Sequence, residues 1–421
     1  MPKSDERVAY EVHLDAAELS VQQRIGTMYR HAFRSDLPAS FEYSEEWLKS
    51  ERVFMLDPRL ELWSGEQHPP SNTRAFGIFT DSAPDRWGRL LMDRREAAAA
   101  EREGRRVRHL QDIDFMLGVH DHTRMGALRF RSVDGGPFLD NHDPASPPVT
   151  SLRELAYISQ RVEESGIDKL PEDEKRIAML IAPGSSLGGA RPKANFTADD
   201  GRLWIAKFPS REDRYDVGAW ELLVHRLAQR AGICVPASRL EHISDRYSTF
   251  CVARFDRVEG NRRMFASAMT LLEYVDGEEG ASYIDLAEFI SDKGAQNHID
   301  SDLEQLFRRL VFNVLIGNRD DHLRNHGFIR QKTGWRLAPA YDMNPNPNKA
   351  EHSLTLDGTT AAPGLAAVVK TADLYRLGSL QRDHVIAQVR DVVKDWRREA
   401  EAMAMARTDI ARMESLFQEA S

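Results

Sequence analysis

The sequence predicts an α+β protein built in three parts, and three observations carry that prediction. Strand-like alternation is concentrated ahead of residue 272, while helical patterning takes over beyond about 280. A stretch rich in Pro and Gly over residues 131–150 separates the first 130 residues from the rest. The division expected is an N-terminal α/β domain with its linker at 1–150, a β-rich lobe at 151–272 and a helical lobe at 273–421.

The elements follow in order. Val8-Ala9-Tyr10-Glu11-Val12-His13-Leu14 alternates as an edge strand does, and Phe41-Glu42-Tyr43-Ser44-Glu45-Glu46-Trp47-Leu48 runs from strand into helix. Trp87-Gly88-Arg89-Leu90-Leu91-Met92 leads into the alanines at 97–100, which favour helix, and the basic residues after them read as a solvated helix end. In the linker, Asp134-Gly135-Gly136-Pro137 and Asp143-Pro144-Ala145-Ser146-Pro147-Pro148 remove donors and break regular structure. A helix capped near Ser151 should run to about Glu164. Two strands flanking Asp199-Asp200-Gly201 are expected to form a hairpin, since Asp-Gly is a strong turn dipeptide. Residues 217–232 make an amphipathic helix with Trp220, Leu223, Leu227 and Ala231 on one face and Gly232 as its stop. Strands return at 250–255, a connector lies near 268–272, and the last segment, 382–419, lays mixed charge over an apolar stripe.

Composition bounds the function. The chain has 421 residues, 41% hydrophobic and 29% charged, with a net charge of −9. A dedicated nucleic-acid binder is usually basic, so DNA contact is expected to be local or through a partner. Two cysteines, Cys234 and Cys251, make no disulfide framework, and a reducing cytoplasm is the simplest setting. No signal core is expected at the start and no membrane span anywhere.

The chemistry concentrates in a few short motifs. Gly184-Ser185-Ser186-Leu187-Gly188-Gly189-Ala190-Arg191-Pro192-Lys193 is a loop whose amides can approach phosphate oxygens, although it is neither a Walker A nor a G-x-G-x-x-G pattern. Lys207 ends the second hairpin strand in Trp204-Ile205-Ala206-Lys207, similar to the strand lysine that meets nucleotide phosphates. Glu221, on the following helix, is a candidate to pair with it. Asp320 and Asn325 then stand five residues apart, and Asp342 follows. A phosphoryl-transfer loop needs a carboxylate facing the attacking hydroxyl and a carboxamide oxygen on Mg²⁺, with a second acid to complete the metal. Each signal alone is weak, and Asp residues often only cap helices. Their order is that of a kinase, which predicts a bilobal kinase-like fold. In that reading Lys207 and the loop amides hold ATP, Asn325 and Asp342 bind Mg²⁺, and Asp320 is the base.

The sequence resembles the HipA family. The resemblance rests on Ser186-Leu187-Gly188-Gly189-Ala190-Arg191-Pro192-Lys193, Arg254-Phe255-Asp256-Arg257, the segment Phe312-Asn313 to Phe328 around Asp320-Asp321-His322-Leu323-Arg324-Asn325-His326, and Leu337-Ala338-Pro339-Ala340-Tyr341-Asp342. Pro84-Asp85-Arg86-Trp87-Gly88-Arg89 and Gly126-Ala127-Leu128-Arg129-Phe130 extend it towards the N-terminus. It implies a serine/threonine kinase acting as the toxin of a type II toxin–antitoxin module. The implied substrate is protein, such as an aminoacyl-tRNA synthetase. The implied partner is a small helix-turn-helix antitoxin that brings operator DNA. Ser186 falls at the family's autophosphorylation position, with Ser185 a neighbouring competitor. Arg324 stands where lysine is more usual.

Two other readings share these residues: a small-molecule phosphotransferase, and a non-catalytic kinase-fold binding module. His120-Asp121-His122 reads as polar residues on the surface rather than a metal site. His322 is expected to shape the loop or touch phosphate, and Arg254-Phe255-Asp256-Arg257 to be an internal ion-pair corner.

Overall fold

The structure, a computed structural model, describes residues 7–31, 39–140, 147–164 and 191–420. These form a mixed α/β protein that divides into two compact units. One comprises Met1–Arg211 with Asp256–Ala266, the other Glu212–Phe255 with Ser267–Ser421.

The first unit is built on an antiparallel sheet of β1 (Arg7–Ala16), β2 (Val21–His31), β3 (Ser40–Tyr43) and β4 (Leu128–Ser132), in the order β3-β2-β1-β4. Val12, Leu14 and Ala16 are buried while the residues between them are less so, which is the alternation read in the sequence, but β1 pairs on both sides, with β2 and β4, and is not the edge strand expected. Gly26 has a specific reason. A Cβ there would lie 2.3 Å from the Glu42 carbonyl oxygen and from the Phe41 ring, so only glycine lets β3 pair. Helix Arg86–Arg102 starts at Asp85, whose Oδ1 accepts from Gly88 N at 2.9 Å. Its basic end is solvated, as expected: Arg102, Arg106 and Arg108 are exposed. Arg105 donates to Glu96 at 2.5 Å, and with Arg108 it holds that buried carboxyl down at about 2.

The stretch expected to be an irregular linker is pinned at both described ends. Leu139 N donates to Phe130 O at 2.7 Å, and Thr197 N to Pro147 O at 2.9 Å. Helix Leu152–Glu164 follows, as its sequence pattern indicated. The hairpin forms as predicted from β5 (Lys193–Thr197) and β6 (Leu203–Lys207). Gly201 takes φ 76 in its turn, a conformation that favours glycine. Asp256, fully buried, accepts from Gly126 N at 2.9 Å and from Arg257 at 2.6 Å, so the expected ion-pair corner anchors the chain leading into β4.

His120-Asp121-His122 differs from expectation. His120 and Asp121 are buried, because Asp121 accepts from Arg129 at 3.0 Å and lies 3.4 Å from Arg262. Two guanidinium groups repay the cost of burying that carboxylate.

In the second unit, helix Val217–Arg230 is capped by Asp216, which accepts from Ala219 N at 3.0 Å and from Ser248 Oγ at 2.7 Å. Trp220, Leu223, Leu227 and Ala231 are all fully buried, as their spacing implied. Trp220, Trp396 and Phe417 stack together, Trp396 on Phe417 at 4.4 Å, and tie the C-terminal helices to this one. Strands Ser238–Glu241 and Thr249–Ala253 pair as a hairpin. Helices Tyr283–Lys293 and Ile299–Ile316 then form the centre of the unit, with Leu306, Phe307, Leu310, Phe312 and Leu315 fully buried. A second hairpin, Gly327–Gln331 with Gly334–Leu337, interrupts a region expected to be mostly helical.

Candidate functional site

The loop that carries Asp320 begins where helix Ile299–Ile316 must stop. Gly317 adopts φ 65 at its end, the left-handed cap that glycine takes without strain. A Cβ at Gly317 would sit 2.8 Å from Leu416 Cβ. The chain then turns through Asn318, whose Nδ2 donates to Asn313 Oδ1 at 3.2 Å, and enters the short turn Leu323–Asn325.

The two adjacent acids take opposite roles. Asp321 is buried, and its Oδ2 accepts from Tyr283 Oη, from Asn313 Nδ2 at 3.2 Å and from His326 Nε2 at 2.8 Å. Burial opposes its charge, but His326 and Tyr283 more than offset that and hold the carboxyl below its usual range. Burial and the neighbouring Asp321 push the Tyr283 phenol well above its usual value. Asp321 is thus a fixed anionic post beneath the loop. Asp320 faces outward, with its side chain 56% exposed and paired with the Lys349 ammonium.

Asn325 completes the loop. Its Nδ2 lies 3.5 Å from the Asp320 carbonyl oxygen, while its Oδ1 is buried without a hydrogen-bond partner. A buried carboxamide oxygen with both lone pairs unused is costly unless something accepts them. A hard divalent cation is the ligand such an oxygen suits. Tyr341 Oη donates to the Arg324 carbonyl oxygen at 2.8 Å, so the segment that carries Asp342 is tied to the residue preceding Asn325. Asp342 is half-buried and holds φ 56, a conformation uncommon for a residue with a Cβ. Two residues further on, Asn344 likewise has a buried Oδ1 with no partner. The unpartnered Asn325 oxygen is thus a donor that fits a magnesium-sized cation.

His322 has a buried Nδ1 without a partner. With Tyr274, Asp276, Arg324 and Ser353 it lines a cavity of about 200 Å³ beside the loop.

Of the remaining predicted residues, Lys207 belongs to the first unit, Glu221 to the second, and the glycine-rich loop lies outside the described residues. Lys207 ends β6 opposite Lys193. Lys193 is buried, donates to Asp85 Oδ2 at 2.5 Å, and accepts at its carbonyl oxygen from Trp87 Nε1 at 3.1 Å. The motif around Trp87 therefore clamps the strand that follows the glycine-rich loop. Glu221 is buried on helix Val217–Arg230 in the second unit. Ser186, Leu187, Gly188, Gly189 and Ala190 lie outside the described residues.

Sequence reasoning missed Tyr283, Lys349 and Ser353. It noted Asn313 and His326 as motif residues without a role. Among the described residues, His31, Glu66 and His68 also bring metal-capable atoms within 4.8 Å of one another. Glu66 already accepts from Arg7 and Ser40, each at 2.5 Å, which leaves that corner an ion-pair network. Among the described residues no helix is long and apolar enough to cross a membrane.

Known proteins resemble this chain along most of its length. The HipA-like C-terminal domain family matches residues 185–401, slightly more than half of the chain. A putative kinase of Haemophilus influenzae is 30% identical over 182 residues, covering 38% of this chain and 52% of that protein. The serine/threonine-protein kinase toxin HipA of Shewanella oneidensis is 25% identical over 259 residues, covering 54% of this chain and 58% of that protein. The chain thus spans about half the length of these curated relatives. Among solved structures, the Shewanella oneidensis complex of HipA, HipB and operator DNA superposes with a TM-score of 0.66 at 18% identity, covering 98% of this chain and 95% of that one. That likeness establishes a shared fold. With the loop, its buried acid and the unpartnered carboxamide oxygen already in place, the family match over more than half of the sequence settles kinship: this chain belongs to the HipA-like C-terminal domain family.

Proposed function

We propose that this protein is an ATP- and Mg²⁺-dependent serine/threonine protein kinase of HipA type. Its residues 151–272 and 273–421 form the two lobes of a kinase-like fold, and 1–150 form the additional domain. One observation carries the reading. An exposed carboxylate, Asp320, stands on the same short loop as a buried, unpartnered carboxamide oxygen, Asn325 Oδ1. A proton acceptor must be open to its substrate, and a metal ligand must keep a lone pair unspent.

Asn325 and Asp342 hold Mg²⁺, which neutralises phosphate charge when bound. Lys207 binds ATP phosphates together with the amides of residues 186–190 and with His322. Asp320 accepts the proton of the substrate hydroxyl as its oxygen bonds to the γ-phosphorus and the bond to ADP breaks. Asp321, held by Tyr283, Asn313 and His326, keeps the loop in position so that Asp320 needs no reorganisation.

The substrate is protein, such as an aminoacyl-tRNA synthetase or another translation component. A small helix-turn-helix antitoxin is the partner and brings operator DNA, and Ser186 is the site of inhibitory autophosphorylation. The protein works in the cytoplasm as a toxin. The Shewanella oneidensis complex, in which a HipA chain is bound with HipB and operator DNA, supports this setting.

The test is phosphoryl transfer from γ-labelled ATP in the presence of Mg²⁺, with phosphosites mapped by mass spectrometry. Asp320→Asn should lower transfer at least ~10²-fold, the low end for a general base. Asp342→Asn should weaken Mg²⁺ dependence without unfolding the chain, and chelation should abolish transfer. Wild-type rates in both variants would overturn the assignment.

A further inference from the structure

We propose that Lys349 is a further catalytic residue, whose ammonium binds the transferring phosphoryl group beside Asp320. The inference rests on the kinase reading above. Lys349 Nζ donates to Asp320 Oδ1 and, at 2.9 Å, to Ser353 Oγ. An ammonium has three donors, so these two bonds leave a third for another acceptor at the same place. Asp320 and Lys349 are 56% and 44% exposed, so that place is open to an incoming substrate.

The backbone, and not only charge attraction, sets the position of this lysine. Arg319 Nη1 donates to the Lys349 carbonyl oxygen at 2.7 Å. Ser353 N donates to Arg319 O at 3.1 Å, and Asn346 N to Gly317 O at 2.9 Å. Residues 346–353 are therefore fastened to the start of the loop, and Lys349 is held against the residue next to Arg319. The loop supplies no comparable ammonium of its own. Between Asp320 and Asn325 it has the buried Asp321 and Leu323, His322, and Arg324, whose guanidinium lies 3.6 Å from Asp276.

The chemistry asks for such a cation. The base and the transferred group are both anionic and must approach each other. As the hydroxyl oxygen bonds to the γ-phosphorus, the bond from phosphorus to the β–γ bridging oxygen breaks and its electron pair leaves with ADP. The hydroxyl proton passes to Asp320. Lys349 stays protonated throughout and donates to a non-bridging phosphoryl oxygen, where charge is spread in the transition state. The pair is a weak lock on the base, because an ion pair open to water is screened by it.

Initial-rate phosphate incorporation from γ-labelled ATP with Mg²⁺, read before self-modification becomes limiting, tests this on the purified chain, comparing Lys349→Ala, Lys349→Met, Lys349→Arg and Asp320→Asn. Turnover of the Ala and Met variants should fall on the order of 10²-fold, the scale of losing one transition-state donor. The KM for ATP should stay within about threefold, because the contact forms mainly in the transition state. Lys349→Arg should recover part of the loss, and added ethylammonium should partly rescue Lys349→Ala. A purely structural lysine would give neither rescue. Wild-type turnover in Lys349→Ala beside an inactive Asp320→Asn would overturn this inference and leave the kinase reading standing. Faster turnover in Lys349→Ala would overturn it in favour of an inhibitory latch. Full activity in Asp320→Asn would overturn both.

Discussion

Two lysine–aspartate pairs in this protein share their chemistry and differ in everything else. Lys193 and Asp85 meet at 2.5 Å with side chains only 3% and 6% exposed, and the Trp87 indole donates to the same lysine's carbonyl oxygen. Lys349 and Asp320 meet where both side chains are about half exposed. Water can replace either partner of the second pair and neither partner of the first. The buried pair therefore fixes structure, while the open pair is available to a substrate. Burial, not residue type, sorts the two roles.

The largest expected effect is at the buried pair. Asp85→Ala leaves the Lys193 charge enclosed and also removes a helix cap, so it should cost about 3–5 kcal/mol of folding stability. Calorimetric melting measures this, and a variant as stable as the wild type would break the contrast. A smaller loss is expected beneath the loop. His326→Leu takes one donor from Asp321 and should cost about 1–3 kcal/mol. The pH dependence sharpens this. The Asp321 carboxyl is held below its unfolded value, so its contribution is fully present above that value, near pH 4, and is lost as pH falls through the lower folded value. Denaturant titrations in acid should show His326→Leu losing less stability than the wild type over that range. An identical acid slope would mean that His326 does not hold the charge. The smallest effect is at the open pair. Asp320→Asn should change stability by no more than about 0.5 kcal/mol, however large its effect on transfer. A melting shift comparable with that of Asp85→Ala would erase the distinction.

Much of the architecture was legible because it is local. The alternation in β1, the Asp-Gly turn of the β5–β6 hairpin and the apolar face of helix Val217–Arg230 all rest on periodicities that the backbone imposes. The close spacing of Asp320 and Asn325 placed both on one loop for the same reason. The hairpin of Gly327–Gln331 and Gly334–Leu337 escaped notice because its turn at Lys332-Thr333 carries no Asp-Gly or Asn-Gly signal. Gly334 is needed there for a contact with Gly294, 40 residues earlier, whose carbonyl oxygen would lie 2.4 Å from a Cβ. His120 and Asp121 were misread as surface residues, since the arginines that make their burial possible, Arg129 and Arg262, carry no local signal.

The sequence by itself determined the α+β composition, the order of the motifs and the two residues, Asp320 and Asn325, on which the functional reading turns. Only the tertiary structure decided which of two consecutive aspartates faces outward. It also decided that Tyr283, Asn313 and His326 hold the other, and that Lys349 returns to the loop 29 residues later. Spacing along a chain follows from covalent geometry and can be read directly. Which groups meet after the chain turns back is set by burial and hydrogen-bond satisfaction summed over the whole fold.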